Sequence, residues 1–251
     1  MKKLMTFFAI AAMFSFVACQ KPNNTKPSDG NQEEQKDPKD DEKEPDYVKA
    51  IEIDGTFDDW AALDASKVIT VRCADPTAKT DLKLMKIYVD ELYIFAYLEF
   101  DFEPYDNAPE TAVLDFHING DGDTATGGWN GQWDQGETPC IDLMCQGSII
   151  DAGEVVDYAP GLYKYAGDPN TSEWSWDDVS IEGFIEGMGT KKAYEVQMMR
   201  ELYPLGELAD EISLGVEILV NGWDATGALP NSTVDEVNTT GQAGLLTVKL
   251  N

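Results

Sequence analysis

The sequence predicts an all-β fold, an antiparallel β-sandwich that follows a disordered N-terminal tether. Three observations lead to this prediction. Short runs of β-branched and aromatic residues alternate at the spacing of strands, and glycine, proline, aspartate or asparagine bounds each run. No long stretch repeats apolar residues at helical spacing. Because eight such runs fall within the 204 residues of segment 48–251, two packed sheets are the favoured arrangement.

Residues 1–18 predict a lipoprotein signal peptide. Two lysines precede an apolar run over residues 4–17, and its 14 residues are fewer than the roughly 20 that span a bilayer. Ala18 stands directly before Cys19, and a small residue there is typical of the site that a lipoprotein signal peptidase cleaves. The sequence therefore predicts an exported protein with its lipid on Cys19, and an ordinary secretory signal is the alternative.

Residues 19–47 predict a disordered linker. After the cysteine they are dominated by Lys, Asp, Glu, Pro, Asn and Gln, with no aliphatic side chain. Such a segment cannot bury enough apolar surface to offset its ordering entropy. A random coil of this length extends about 30 Å on average, so the linker would hold the domain away from the membrane.

The eight predicted strands share apolar alternation between turn-forming residues, and they cover residues 68–73, 82–89, 92–100, 113–118, 141–146, 192–199, 212–220 and 245–250. Asp90-Glu91 predicts a tight hairpin between the second and third strands. Residues 92–98 are apolar on both faces, which predicts a central strand covered on two sides. Residues 58–63 predict one helical turn with Trp60 packed inward, and residues 200–210 a short irregular helix.

The predicted domain is strongly acidic. Residues 48–251 contain 11 Lys and Arg against 38 Asp and Glu, which gives a net charge of −27. A surface this negative repels phosphate backbones, so nucleic acid is excluded as a partner, whereas neutral ligands and divalent cations are compatible. Cys73 and Cys145 occupy inward strand positions, and they are either a disulfide or two buried thiols.

Five short motifs follow one another along the domain. They are Ile53-Asp54-Gly55 with Asp58-Asp59-Trp60, Val89-Asp90-Glu91-Leu92-Tyr93-Ile94, Ala193-Tyr194-Glu195-Val196-Gln197, Asn221-Gly222-Trp223-Asp224 and Gly244-Leu245-Leu246-Thr247-Val248. Their order resembles that of the family 9 carbohydrate-binding modules, which share a sandwich fold with sugar- and haem-binding DOMON-type domains. Gln197 departs from the pattern, because the family has an acid there. The resemblance implies a carbohydrate-binding-module-like sandwich and a sugar held between two tryptophans.

The segment NGDGDTATG predicts a calcium loop. Asn119, Asp121 and Asp123 offer oxygen atoms at alternate positions, and the intervening glycines permit the positive φ that a curled loop needs. Calcium takes six to eight oxygens, so Asp134 or Glu137 would complete the shell. No helix flanks the loop, which separates it from an EF-hand. A structural calcium ion is expected, and a solvated turn without an ion is the alternative.

Tryptophans in polar loops are the candidate ligand-binding residues. Trp129 and Trp133 lie in the glycine-rich run GGWNGQWD, where two core residues are not expected. A flat indole packs on the C–H groups of a sugar ring while amides and carboxylates bind the hydroxyls. Trp223 is expected to be a third tryptophan that lines the sugar-binding site. Trp174 and Trp176 form either an aromatic platform at a sheet edge or part of the core, and at least one of them is expected in the core. Trp176 is a further candidate ligand-binding residue.

The sequence gives no support for an enzyme. His117, the single histidine, shares a strand face with Asp115 and is expected to be a surface hydrogen-bonding residue, with haem ligation or base catalysis as alternatives. A nucleophile elbow and zinc-type Cys/His spacing are both missing from the sequence, and nothing singles out a pair of catalytic carboxylates.

Together these patterns predict a non-catalytic, calcium-stabilised glycan-binding lipoprotein of the cell envelope. It would lie on the bacterial outer membrane, on the periplasmic or the cell-surface side, and capture oligosaccharide for uptake or for nearby enzymes. Two alternatives stay open. One is an interaction subunit of an outer-membrane assembly, with protein partners and no sugar. The other is a haem-binding DOMON-type domain in which His117 ligates iron.

Overall fold

Two antiparallel sheets make up the fold, as predicted. The computed structural model describes residues 47–73, 80–102, 109–133, 138–179, 181, 183–201, 208–230 and 244–250. Residues Tyr47–Asn251 form one compact unit. The predicted signal peptide, the lipidation site Cys19 and the linker up to residue 46 lie outside the described residues, as do Asp134 and most of the helix expected over residues 200–210.

The described strands run in chain order as β1 (Ile69–Arg72), β2 (Leu82–Val89), β3 (Tyr93–Phe100), β4 (Ala112–Asn119), β5 (Leu143–Asp151), β6 (Glu154–Val155), β7 (Gly161–Tyr165), β8 (Trp176–Asp178), β9 (Ile185–Gly189), β10 (Ala193–Met199), β11 (Glu211–Val220), β12 (Ala225–Leu229) and β13 (Leu246–Lys249). One helix, α1 (Asp58–Ala62), and two 3-10 turns, Ala65–Lys67 and Gly131–Trp133, accompany them in the described part of the chain.

The strands divide into a five-stranded and an eight-stranded sheet. The first has the order β1-β2-β3-β10-β9. The second has the order β12-β11-β4-β5-β7-β8, with β13 also paired to β11 and β6 to β5. Apolar residues at alternating positions of both sheets form one buried core, for example Leu98 and Val196 from the first sheet with Phe116 and Val216 from the second. This packing is that of a sandwich.

All eight predicted strands are present. Their ends differ by at most two residues, except that β5 continues five residues beyond the predicted end at residue 146. The predicted hairpin joins β2 to β3, where Asp90 Oδ1 accepts hydrogen bonds from the backbone of Leu92 and Tyr93 at 2.9 Å. As predicted, β3 is the middle strand of its sheet. Ile94 and Leu98 face the core, and Phe95 packs outward.

The N-terminal segment of the domain covers the outer face of the five-stranded sheet. Ile51 and Trp60 form a buried cluster with Phe95 of β3, so Trp60 packs inward as expected. Glu195 on β10 fixes this segment. Its Oε1 accepts the backbone N–H groups of Asp54 and Gly55 at 3.0 and 2.8 Å, and its Oε2 accepts Trp60 Nε1 at 3.3 Å. Two of the motifs that carry the family resemblance therefore contact each other.

The cysteines of the domain are buried. Cys73, Cys140 and Cys145 are all described, and they are thiols without a disulfide between them. Of the two arrangements expected for Cys73 and Cys145, the structure therefore has two buried thiols and not a disulfide. Among the described residues, none of the helices is both long and apolar enough to cross a bilayer.

Candidate functional site

A row of polar side chains crosses the outer face of the eight-stranded sheet. Because Phe116 of β4 faces the core, its neighbours Asp115 and His117 point to the opposite face. Strand register places Glu217 of β11 and Gln146 of β5 on either side of Asp115. Although outward-facing, this row is covered by the loops that precede β5 and β8.

Asp115, His117 and Glu217 form a buried polar cluster. Their exposed fractions are 1%, 0% and 6%. His117 Nε2 lies 3.0 Å from Glu217 Oε1, and Gln146 Nε2 donates to Asp115 Oδ2 at 2.8 Å. The pKa of Asp115 is raised to about 7, mainly by burial. The Gln146 hydrogen bond and His117 oppose this rise, and the nearby charge of Glu217 contributes to it. The expectation that His117 is a surface residue is wrong.

Trp133 covers this cluster from above and is not an exposed platform. Its ring is fully buried, and its Nε1 donates to the carbonyl of Pro230 at 2.7 Å. It packs on Gly215 and lies with its centroid 5.5 Å from that of His117. The prediction that Trp133 stacks on a ligand is therefore wrong, because a long-range contact buries a ring that its polar neighbours suggested was exposed.

A cleft of about 550 Å³ opens beside the covered cluster. Three indoles, those of Trp129, Trp174 and Trp223, contribute to its lining. Trp174 is 55% exposed and Trp223 76% exposed, and the ring of Trp129 contacts Trp174 edge-on at 4.9 Å. The structure thus brings two predicted residues, Trp129 and Trp223, to one cavity and adds Trp174 to them.

The floor of the cleft is polar and acidic. Asp115, Glu217 and Gln146 contribute to the lining from the sheet, and Asp224 contributes from the turn between β11 and β12. Within the described chain, the cleft lining contains neither Lys nor Arg. The site therefore offers flat apolar faces beside hydrogen-bond acceptors and an amide.

Trp129 adopts a backbone conformation that L-residues rarely take. Its φ is +52°, and its N–H donates to the carbonyl of Thr171 at 2.6 Å. The preceding Gly128 lies so close to Tyr165 that a Cβ there would be 2.2 Å from the ring. Non-glycine residues in the left-handed region are uncommon and cluster at ligand-binding positions. The loop backbone at Trp129 is thus held by a hydrogen bond and by close packing at the preceding glycine.

A second depression of about 470 Å³ adjoins the cleft. Trp176, Tyr163 and Met144 line it, and it shares Trp174 and Gln146 with the cleft. Trp176 is half-buried and packs against the cluster around Trp133. The predicted residue Trp176 therefore lies beside the main cleft rather than in it, and Trp174 separates the two depressions.

Asn119, the last residue of β4, is followed by a curled loop that contains Asp121 and Asp123. Asn119 Oδ1 accepts the N–H of Gly122 at 2.9 Å, and Asp121 and Asp123 each accept an N–H two residues ahead at 2.8 Å. Gly122 has a φ of +69°, as the predicted curl requires. The fourth predicted ligand, Asp134, is outside the described residues.

Asp142 is a neighbour of this loop that the sequence did not single out. It is buried, and its Oδ2 accepts the backbone N–H groups of Gly120 and Asp121 at 2.9 and 3.3 Å. Burial, followed by the charge of Asp121, raises the pKa of Asp142 to about 6. Two carboxyl groups therefore lie side by side at the base of the loop.

Compared with models of known protein families and with curated proteins, the chain has no significant match.

Proposed function

We propose that this domain binds a neutral oligosaccharide, without catalysis, in the cleft bordered by Trp129, Trp174 and Trp223. The observation that carries the proposal is the combination of three indole rings with a polar floor in one cavity of about 550 Å³. Indole faces pack on the C–H groups of sugar rings. Asp224 and Gln146 would hydrogen-bond the hydroxyls, because a carboxylate accepts and the amide both donates and accepts.

The ligand would be longer than one sugar. Trp174 and Gln146 border both the cleft and the second depression, so a chain of sugars could cross from one to the other over the Trp174 ring. A cavity of several hundred Å³ is the usual size for a drug-sized ligand, and two adjoining cavities fit an extended one.

Binding without catalysis agrees with the arrangement of the carboxyl groups. Glycoside hydrolysis uses two carboxyl groups that flank the scissile bond. Asp115 and Glu217 instead are almost fully buried side by side on one sheet, so they do not lie on either side of an open sugar site. Gln146 and His117 already engage one oxygen of each.

The protein would act at the cell envelope. In this proposal lipid on Cys19 anchors the chain in the bacterial outer membrane, and residues 20–47 hold the domain away from it. The domain would then capture oligosaccharide for uptake or for neighbouring enzymes.

A glycan array followed by calorimetric titration tests the proposal. Trp174→Ala and Trp223→Ala should each weaken binding of the array ligand roughly tenfold or more, about 1.4 kcal/mol, because each removes one exposed ring face. Their Tm should stay close to that of the unmodified protein, since both rings are exposed. Tyr47→Ala, an exposed aromatic that does not line the cleft, is the matched control and should bind normally. An array without any ligand, or full affinity in both tryptophan variants, would refute the proposal.

Calcium is proposed as a structural ion in the loop of Asn119, Asp121 and Asp123. The side-by-side carboxyl groups of Asp121 and Asp142 support it, since a cation would offset their mutual repulsion. Chelator should lower the Tm of the calcium-loaded protein, and Asp121→Asn should abolish this response. Asp151→Asn, an exposed acid at the end of β5, is the control that should keep it. A Tm that is the same with chelator and with calcium would rule the ion out.

A further inference from the structure

We propose that Asp115, His117 and Glu217 form a second metal site, which binds a divalent transition-metal ion at the floor of the cleft. This site is separate from the acidic loop after β4, and it does not depend on sugar binding. The three side chains meet because adjacent strands place Asp115 opposite Glu217, and His117 follows Asp115 by two residues on the same face of β4.

The distances within the cluster are those of ligands around one ion. One donor atom from each of the three residues lies within 4.8 Å of the other two, and the His117 and Glu217 donors are 3.0 Å apart. Two ligands held at about 2.0–2.2 Å from an ion are themselves roughly 3.0–3.5 Å apart. A common ion could therefore be reached by small side-chain movements.

Each of the three side chains has a buried polar atom that makes no hydrogen bond. These atoms are Asp115 Oδ1, His117 Nδ1 and Glu217 Oε2, and none of them has a hydrogen-bond partner among the described residues. Buried polar atoms without partners are rare in native proteins, because they lose hydration and gain nothing in return. An ion bound by His117 Nε2 would satisfy the two carboxylate oxygens, whereas His117 Nδ1 points away from it. The two unpartnered carboxylate oxygens beside the imidazole therefore indicate a missing ligand.

The charge of the cluster favours a cation as that ligand. Two carboxyl groups are buried together with one imidazole, and the contact of 3.0 Å between Glu217 Oε1 and His117 Nε2 is an ion pair only when the histidine is protonated. A divalent ion would neutralise both carboxylates at once. Gln146 donates to Asp115 Oδ2, which leaves Oδ1 for the ion and fixes the carboxylate, as outer-shell partners of metal ligands do.

The donor set selects the class of ion. One imidazole nitrogen with two carboxylates suits Zn²⁺ or Mn²⁺, whereas Ca²⁺ prefers oxygen donors alone and Cu(I) prefers sulfur. Asp115 and Glu217 line the cleft, so an ion could enter from solvent and would keep coordination positions open towards the cavity.

Metal titration of the purified protein tests this site. After removal of metal by chelator, ZnCl₂ and MnCl₂ are each titrated alone, without sugar, and followed by calorimetry. We expect saturable binding of one ion per chain. His117→Gln and Glu217→Gln should each weaken it at least tenfold. Glu211→Gln, an exposed acid on the same strand as Glu217, should leave it unchanged.

Two further measurements keep the result interpretable. Circular dichroism shows whether the variants fold, and the Co²⁺-substituted protein should show visible absorption bands that His117→Gln alters. Absence of saturable binding, or unchanged affinity in folded His117→Gln and Glu217→Gln, would overturn the proposal. So would loss of binding in Asp121→Asn, which would place the ion in the acidic loop. A glycan titration in chelator shows separately whether the sugar site works.

Discussion

Gly215 makes room for the ring that closes the buried polar cluster. A Cβ built on Gly215 would lie 2.3 Å from Cζ2 of Trp133, a distance that real structures do not show. The missing side chain therefore lets the indole lie against β11 and cover His117. Close packing of this kind is sensitive to a single added carbon.

Gly215→Ala should destabilise the fold by about 1–3 kcal/mol, because the added methyl group forces the Trp133 ring to move. Trp133→Ala should cost more, about 3–5 kcal/mol, since it leaves a cavity and an unpaired Pro230 carbonyl. Denaturant unfolding measures both. Gly222→Ala is the matched control, because the nearest atom to its added carbon is 4.0 Å away. Equal stability of the Gly215 and Gly222 variants would contradict this packing.

Trp133 and Trp174 show where single residues could not be placed from the sequence. Trp133 lies among glycines and polar residues, yet its Nε1 partner Pro230 is 97 residues further along the chain. Trp174 could equally have packed inward beside Trp176. Local composition records what surrounds a residue in the chain, whereas burial depends on what folds over it.

The N-terminal segment is attached to its sheet by hydrogen bonds to Glu195 and by apolar packing. One carboxylate accepts three N–H groups, from Asp54, Gly55 and Trp60, while the apolar residues around Ile51 pack on Phe95. Burial raises the pKa of Glu195, and the hydrogen bonds from Gly55 and Asp54 oppose the rise. Apolar packing and the hydrogen bonds to this one carboxylate therefore hold the segment to its sheet.

Glu195→Gln should lower the free energy of unfolding by about 1–3 kcal/mol, since an amide has only one acceptor oxygen for three donors. It should also make residues around 54–60 easier to cleave with protease. Glu154→Gln, an exposed acid in β6, should behave like the unmodified protein. If the Glu195 variant matched that control in both assays, the hydrogen bonds to Glu195 would not contribute to stability.

Strands were predictable where the pattern was strong. The run that forms β3 is apolar and aromatic apart from Glu99, and the runs that form β4 and β11 alternate over six and eight residues. By contrast, β9 (IEGMG) and β12 (ATGAL) contain glycines and few large side chains. Such segments form strands because a neighbouring strand pairs with them, and that pairing leaves little trace in the local sequence.

In the domain as a whole, the two sheets have different surroundings. The five-stranded sheet is covered outside by the N-terminal segment, and the eight-stranded sheet carries the cleft on its outer face. The predicted residues Trp129 and Trp223 lie in this cleft because two separate loops meet above β4 and β11. The floor was not predictable, since Asp115 and Glu217 are 102 positions apart and only strand register joins them.

The proposed function requires that one tryptophan-lined cleft holds the sugar. The chain has six tryptophans, so its indole N–H resonances form a small set that single-residue variants can assign. During titration with a glycan identified on the array, we expect the signals of Trp129, Trp174 and Trp223 to shift together. Those of Trp60 and Trp133 should shift far less, because both rings are buried away from the cavity wall. Saturable glycan binding without a shift of the three cleft resonances would contradict binding of the sugar in this cleft.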